Sequence, residues 1–352
     1  MNISEAKAAL DSLIKKSRVH LYKPIQIAEI LHRHRVSDDI DLQSLNSYRN
    51  ASKAWRDVIT NRFVGRSSTS SARYQDDIFN ENAIPPRILA VLGAENTDKG
   101  GIVEAYIYRR FTDRFSQMSS ALQYCDDNDR TTFSILEFIN LFWHNPGLRR
   151  SIDKIYEVVV YSLFSVLVEA LEVSVTVRIN EEKADILTEF EDFTKMVVGL
   201  SSENRLLHIP ARIYRVGVTN AADRGLDMYA NFGMAIQIKH LSLTPELAEN
   251  IVGSVTADRI VIVCKVGEKA LIVSLLNQIG WKARIQSIIT ENDLELWYER
   301  ALRGKFGAEI GDRILLTLKE QIVAEFPASN NVEFTQFYEG RNYNLLTDNN
   351  WI

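Results

Sequence analysis

The sequence has few of the residues that build a disulfide framework or a zinc site. Its 352 residues include two cysteines, Cys125 and Cys264, and six histidines. Two cysteines in a chain without a recognisable signal peptide predict a reducing, cytoplasmic environment. Because the histidines are scattered along the chain, they do not form the ligand spacing of a zinc site.

Long apolar runs and an excess of positive charge are also missing. The most apolar run, residues 155–171, is short for a membrane span and contains Glu157 and Glu169, so it predicts a buried helix. The formal net charge of −5 argues against a uniformly basic nucleic-acid coat and leaves room for local basic patches. What is present is a hydrophobic content of 46%, which is enough for a sizeable core in one large domain or two.

Residues 1–146 predict a helical N-terminal region. Apolar residues recur at helical spacing through the first 64 residues, and the last such series, from Leu42 to Phe63, predicts a third and longer helix. These helices form either a helix-turn-helix-like DNA-recognition unit or a plain packing domain, and the spacing leaves both open. Pro146-Gly147 marks the boundary to a second region, 147–305. The remainder, 306–352, predicts a C-terminal helix and an irregular tail.

A serine-rich segment flanked by arginines follows the first helices. Residues 62–77 read RFVGRSSTSSARYQDD, and small hydroxyls with arginines on a loop suit contacts to DNA phosphates and base edges. The plainer interpretation is a flexible linker. A second basic stretch spans residues 201–224, just before a predicted hairpin. The predicted DNA contacts are Arg66, Ser68, Ser70, Ser71, Arg73, Arg212, Arg215, Arg224 and Asn231.

Beyond residue 147, strand and helix patterns alternate. This order predicts an α/β (α+β) fold in which a mixed central sheet is flanked by helices. The predicted elements are a long buried helix after Ser151, a strand at 173–179, a helix at 181–198, a hairpin at 226–240, a helix at 245–252, a strand at 259–265, a helix at 268–278, a strand at 283–290, and helices at 293–302 and 310–326.

The hairpin lies in the stretch RGLDMYANFGMAIQIKH, residues 224–240. Its turn is Asn231-Phe232-Gly233, where Gly233 supplies the positive φ that a short turn needs. With a three-residue loop, Asp227 lies opposite Gln237, and Lys239 shares their face of the sheet. A carboxylate, a side-chain carbonyl and an ammonium therefore converge at one end of the hairpin.

These groups can hold a hard cation and act on a phosphate. Mg²⁺ takes oxygen ligands, and Asp227, the side-chain oxygen of Gln237 and the backbone carbonyl of Ile238 are the predicted metal ligands. Lys239 would stabilise the attacking water and the developing negative charge. The alternative is an ordinary half-exposed hairpin with a polar face, since so short a pattern also arises by chance.

The order of elements from residue 151 resembles the core of the PD-(D/E)XK nucleases. The segments SIDKIYEVVVYSLF, GRSSTSSARYQDDIF and RGLDMYANFGMAIQIKH together look like the HaeII family of type II restriction endonucleases. The resemblance implies a bacterial homodimer that uses Mg²⁺ to hydrolyse both strands of a short palindromic DNA site, purine-GCGC-pyrimidine for the family's namesake. It also implies a cognate DNA methyltransferase, and adds Glu157, on the first core helix, to Asp227, Gln237 and Lys239 as catalytic residues.

Two positions depart from the superfamily pattern. Leu226 stands where proline commonly precedes the aspartate, and Gln237 stands where a carboxylate is usual, which leaves the number of bound metals open. Glu157 is either a metal ligand or a residue that supports one. Two other classes stay open: a sequence-specific DNA-binding protein with a degenerate nuclease core, and a non-restriction repair nuclease.

Overall fold

The computed structural model describes residues 2–17, 20–68, 71–144, 151–216, 226–255, 257–267, 285–326 and 331–351. The chain divides into two compact units. Unit 1 comprises residues 1–158, 217–223 and 318–352, and unit 2 comprises residues 159–216 and 224–317. Because one division falls between residues 317 and 318, the region set apart above as 306–352 is shared between the units.

The helices and strands of the described residues follow in chain order. The helices are α1 (Ile3–Lys16), α2 (Tyr22–Ser37), α3 (Ala51–Val64), α4 (Ala72–Asp76), α5 (Pro86–Asp98), α6 (Ile102–Asp127), α7 (Ile135–His144), α8 (Ile152–Ala170), α9 (Ala184–Glu189), α10 (Glu191–Phe193), α11 (Pro245–Ser254), α12 (Glu291–Arg303), α13 (Gly307–Glu325) and α14 (Asn331–Gly340). The strands are β1 (Ser174–Arg178), β2 (Leu206–Pro210), β3 (Ile213–Arg215), β4 (Met228–Ala230), β5 (Met234–Leu243), β6 (Arg259–Gly267) and β7 (Ile285–Thr290). Among these described helices, none is long and apolar enough to cross a membrane.

Unit 1 is helical, as the N-terminal sequence predicts, but its third helix is shorter than the apolar series suggests. Residues 42–48 form turns and a short 3-10 helix, and α3 begins at Ala51. Asp41 accepts hydrogen bonds from the backbone N–H of Gln43 at 2.9 Å and, through its carbonyl, from the Ser47 hydroxyl at 2.7 Å. Such local bonds compete with helix formation. The series therefore predicts burial correctly, since Leu42 is in the core, and predicts the helix start wrongly.

The irregular tail predicted at the end of the region 306–352 contains helix α14, so that prediction is wrong. Phe334 and Phe337 are buried in the core of unit 1, where both rings pack against Phe63 at centroid distances of 5.2 and 5.0 Å. Aromatic residues three or four positions apart share one face of a helix. Asparagines precede and follow these aromatic residues in the sequence. Because asparagine favours turns, the sequence did not indicate a helix here.

A buried polar network joins α2, α5 and α6 to the C-terminal segment in unit 1. Glu104 is fully buried and accepts hydrogen bonds from Arg35 at 2.9 and 3.0 Å, from Asn96 at 2.6 Å and from the hydroxyl of Tyr343. A His32 ring nitrogen lies 3.0 Å from the same carboxylate. Burial alone would raise the pKa of Glu104, but these partners outweigh it and lower the pKa to about 2.

Unit 2 contains a mixed five-stranded sheet in the order β3-β4-β5-β6-β7. The pairs β3–β4 and β4–β5 are antiparallel, whereas β5–β6 and β6–β7 are parallel. Helix α11 covers one face, where Ala248 and Ile251 pack with Ile260 and Ile262 of β6, and α12 packs against β6 and β7. The prediction of a mixed sheet with flanking helices is confirmed at this level.

A separate two-stranded ribbon, β1–β2, precedes the main sheet in unit 2. The strand at 173–179 is confirmed as β1. The basic stretch 201–224 contains two further strands, β2 and β3, which its arginine-rich composition did not indicate. The predicted helix at 181–198 is broken into α9, α10 and a π-turn at Thr194–Val198, because Phe190 leaves the helical region at φ −112° and ψ 34°. The predicted helix at 268–278 lies outside the described residues.

Candidate active site

The hairpin at the centre of the main sheet has the register predicted from its sequence. Met228 pairs with Ile236, so one step outward Asp227 lies opposite Gln237. Gly233 has a φ of +86°, the left-handed conformation that the turn requires and that glycine adopts without steric strain. The predicted convergence of Asp227 and Gln237 is therefore a property of the folded backbone.

The Asp227 carboxylate lies against strand β5. Its Oδ2 accepts hydrogen bonds from the side-chain Nε2 of Gln237 at 2.5 Å and from the backbone N–H of Ile238 at 2.7 Å. The N–H and C=O of one residue leave a β-strand on the same side. The Ile238 carbonyl is therefore directed towards the Asp227 side of β5, beyond the point where β4 begins at Met228.

Gln237 carries a buried oxygen that lacks a hydrogen-bond donor. The side chain is 2% exposed, and its Oε1 has no hydrogen-bond partner in the part of the chain that the structure describes. Leaving a buried carbonyl oxygen unsatisfied costs about 1–3 kcal/mol, so the position calls for a ligand. A hard cation would satisfy it.

The donor set fits Mg²⁺ better than zinc. Asp227 offers a carboxylate, while Gln237 Oε1 and the Ile238 carbonyl are neutral oxygens, and Mg²⁺ binds through few carboxylates and completes its shell with water. Across the described residues, no group of three or more His, Cys, Asp or Glu side chains is arranged to hold a metal ion. Among the described residues of the hairpin, Asp227 is the one carboxylate, and Mg²⁺ sites commonly use one or two.

Lys239 completes the set on the same face of the sheet. Residues two positions apart on a strand point to the same side, and β5 pairs regularly with β6 as far as Lys239, whose partner is Cys264, before a register shift. The side chain is half-buried. An ammonium beside a carboxylate and two neutral oxygens makes a site suited to an anionic substrate such as a phosphate.

Glu157, predicted as a fourth catalytic residue, lies in the part of α8 that belongs to unit 1. It is 4% exposed, and both of its carboxylate oxygens accept hydrogen bonds from the Lys154 ammonium at 2.7 Å. Asp227 belongs to unit 2. The role of Glu157 at the hairpin site stays a prediction.

Of the DNA contacts predicted in unit 1, Arg66, Ser68 and Ser71 lie between α3 and α4, and Arg73 lies in α4. Arg66 is half-buried and contacts the His20 ring at 2.9 Å and the backbone carbonyl of Glu325. Ser68 is half-buried, Ser71 is exposed and caps α4, and Arg73 is exposed. Ser70 lies outside the described residues. Ser71 and Arg73 are therefore the exposed residues among the described members of this group.

Of the DNA contacts predicted in unit 2, Asn231 lies in the hairpin turn, Arg212 directly precedes β3, and Arg215 is the last residue of β3. Arg212 is exposed and Arg215 is half-buried in β3, while Arg224 lies outside the described residues. The side chain of Asn231 accepts a hydrogen bond from the backbone N–H of Arg212 and donates one to the Pro210 carbonyl, both at 2.9 Å. Asn231 thus fixes the start of β3 to the turn, a structural task that its sequence position did not reveal.

Two tyrosines near the site were not singled out in the sequence. Tyr214 of β3 and Tyr229 of β4 are directly paired, their rings stack at 5.2 Å with an interplanar angle of 23°, and both are exposed. Tyr229 shares a face with Asp227, since the two are two positions apart. Exposed aromatic rings offer a stacking surface for nucleotides. Recognising β3 as a strand would have revealed the pair.

Comparison with known proteins gives a consistent result over almost the whole chain. The family model described as HaeII restriction endonuclease matches residues 6–343. The type II restriction enzyme HaeII of Haemophilus aegyptius is 59% identical over 347 residues, which cover 99% of each chain. The type II restriction enzyme NgoBI of Neisseria gonorrhoeae is 56% identical over 342 residues, 97% of each chain. No solved structure matches the chain.

Proposed function

Because the chain belongs to the HaeII restriction endonuclease family, we propose that it cleaves both strands of a short palindromic DNA site with Mg²⁺ as its cofactor. By resemblance to the family's namesake, the site is purine-GCGC-pyrimidine. The observation that carries the chemistry is the grouping of Asp227, Gln237 and Lys239 on one face of the hairpin. The partners that follow are double-stranded DNA, a second copy of the chain, and a methyltransferase that protects the same site in the bacterial cytoplasm.

We also infer that unit 2 contains a PD-(D/E)XK nuclease core. The support is the order of its elements: α8, an antiparallel hairpin with the acid just before β4 and the lysine on β5, then α11 and the parallel strands β6 and β7. This arrangement holds the reactive groups on rigid strands, where they are positioned more precisely than on loops.

The residues of the site would have separate roles in phosphodiester hydrolysis. Asp227, Gln237 Oε1 and the Ile238 carbonyl would hold Mg²⁺, which when bound supplies charge to polarise the scissile phosphate and to lower the pKa of a water molecule. The hydrogen bonds from Gln237 Nε2 and the Ile238 N–H keep the Asp227 carboxylate oriented. Lys239 would orient the attacking water in line with the leaving 3′ oxygen and stabilise the negative charge on the phosphate.

Digestion of plasmid DNA tests the proposed function. The purified protein with Mg²⁺ is expected to give discrete fragments whose sequenced ends share one palindromic site. A smear or random nicks would instead identify a non-specific or repair nuclease. Intact DNA that is nonetheless shifted in a gel would identify a DNA-binding protein with an inactive core.

The Mg²⁺ requirement should depend on residue 237. Gln237→Glu keeps the shape and adds a negative charge beside Asp227, and hard cations favour charged oxygen, so we expect a lower Mg²⁺ concentration for half-maximal cleavage. The maximal rate should fall, because the added charge weakens the Lewis acid and attracts Lys239. Gln237→Ala removes the oxygen and should raise the Mg²⁺ requirement. The measurement is a Mg²⁺ titration of cleavage at fixed ionic strength, and superimposable curves for all three proteins would exclude the ligand role.

Exposed arginines of both units should contribute to DNA affinity through phosphate contacts. Arg73→Ala and Arg212→Ala are each expected to weaken binding to cognate and unrelated duplexes equally, and to reduce the slope of log K against log salt by about 1. Fluorescence anisotropy at several salt concentrations without Mg²⁺ measures both quantities. Arg87→Ala is a matched control, since Arg87 is exposed but paired with Glu81. Unchanged slopes for Arg73→Ala and Arg212→Ala would remove these residues from the DNA surface.

A further inference from the structure

Unit 2 carries a projecting segment with little core of its own, residues 171–210, which we call the arm. It consists of the ribbon β1–β2 and the helical turns between its strands. Of these residues only Leu187 and Leu200 are buried. A segment this poor in buried contacts gains little stability from packing within one chain.

The helical turns of the arm expose an apolar stripe. Ile186, Phe190, Phe193 and Val197 follow each other at intervals of four, three and four residues, and each is more than half exposed. The four residues are distributed over α9, Phe190, α10 and the π-turn, which do not form one continuous helix. In the same segment Leu187 is buried and Thr194 is half-buried. Several exposed apolar side chains in so short a segment are typical of a protein interface.

The same unit also has an apolar groove that is open to solvent. Its volume is about 620 Å³, and its lining includes Leu167 of α8, Leu171 at the start of the arm, Ile213 of β3, Trp297 of α12 and Phe306. No member of the stripe is among the lining residues. Pockets of about 300–1,000 Å³ hold drug-sized groups, so the groove has room for more than one aromatic side chain.

The charges around the stripe and the groove have opposite signs. Residues 181–198 contain six carboxylates and two lysines, a net charge of −4. The charged residues that line the groove are both basic and exposed, Arg300 and Lys305. The acidic surroundings of the stripe exclude DNA as its occupant because phosphates are repelled. Stripe and groove are thus complementary in both polarity and charge.

We propose that the occupant of the groove is the stripe of a second copy of this chain. In this dimer each copy inserts its stripe into the groove of the other copy. The interface is two-fold symmetric, and both stripes and both grooves are buried in it. The proposal rests on the proposed function for its symmetry, since a palindromic target calls for two active sites related by a two-fold axis. The arms thereby bring two nuclease units together.

Removal of the stripe tests the proposal without DNA or metal. Sedimentation velocity over a range of protein concentrations is expected to show a dimer for the wild type. Phe190→Glu combined with Phe193→Glu should raise the dimer dissociation constant by about 100-fold or more, because two aromatic anchors are lost. Val58→Glu with Leu345→Glu is the matched control, since these two apolar residues are equally exposed in unit 1, and it should leave the dimer intact.

Charge reversal identifies the two complementary surfaces. One variant carries Glu189→Lys and Asp192→Lys on the arm, and the other carries Arg300→Glu and Lys305→Glu at the groove. Each alone places like charges in contact and should be monomeric, whereas a mixture of the two restores both attractions and should form heterodimers. A monomeric wild type, a stripe variant that dimerises like the wild type, or a mixture that stays monomeric would each overturn the proposal. Because no cleavage is measured, failure of the proposed nuclease activity is a separate result.

Discussion

Asp227→Asn and Lys239→Ala should each reduce the rate of DNA cleavage by a factor on the order of 1,000 or more. Asp227 is the one carboxylate among the described residues of the hairpin, and Asn retains its shape while removing the charge that would hold the cation. Lys239 supplies the positive charge that stabilises the phosphate in the transition state. Single-turnover cleavage of a short duplex with saturating enzyme and Mg²⁺ measures the chemical step directly.

The same two variants should keep their affinity for DNA. Gel shifts in the absence of Mg²⁺ are expected to match the wild type, because neither side chain is needed for the fold of the sheet. Lys265→Ala is a matched control for Lys239: the strand partner of Lys239 is Cys264, so Lys265 lies one position further and points to the opposite face. A variant at Asp227 or Lys239 that cuts at nearly the wild-type rate would show that the active site lies elsewhere.

Glu104→Gln should destabilise unit 1 by about 3 kcal/mol at neutral pH, since the pKa of Glu104 falls from 4.5 to about 2 on folding. A carboxyl whose pKa is lowered by folding stabilises the folded state above its unfolded pKa, and that stabilisation is lost as the pH falls through the folded pKa. The wild type should therefore lose this contribution between about pH 5 and pH 2. Urea unfolding at several pH values measures both effects.

The variant should also have a flatter dependence of stability on pH in that window, because the group that titrates has been removed. Hydrogen exchange of peptides from α2, α5 and α6 at neutral pH assigns the loss to unit 1, which matters because a chain of two units need not unfold in a single step. Glu81→Gln is the control, since Glu81 forms an exposed ion pair with Arg87 that contributes little. Equal stabilities of the Glu104 and Glu81 variants would contradict the role given to the buried network.

The parts of the fold that sequence predicts well are those governed by local chemistry. The hairpin register follows from one turn glycine and from the alternation of side chains along its strands, so Asp227 and Gln237 could be paired in advance. The buried helix α8 and strand β6 follow in the same way from long apolar runs. In each case the signal and the structure it specifies lie within about 20 residues of each other.

What sequence did not predict depends on contacts between distant segments. The Gln237 amide is oriented by Asp227, which lies opposite it and accepts a hydrogen bond from Nε2, while Oε1 has no partner among the described residues. Asn231 looked like an accessible turn residue, but its side chain is engaged by Arg212 and by the Pro210 carbonyl. The helix predicted at 181–198 is broken at Phe190 in the structure, a break that the sequence pattern does not indicate.

The hydrogen bond from Tyr343 to Glu104 joins residues 239 positions apart, and all of unit 2 is translated between them. Until α14 and Tyr343 emerge, the core of unit 1 lacks Phe334 and Phe337 and Glu104 lacks one of its donors. Folding that depends on contacts between such distant residues is slow. The folding of unit 1 is therefore completed only after most of the chain has been translated, although its N-terminal helices are translated first. A chain interrupted in that interval exposes apolar surface, which marks it for aggregation or proteolysis.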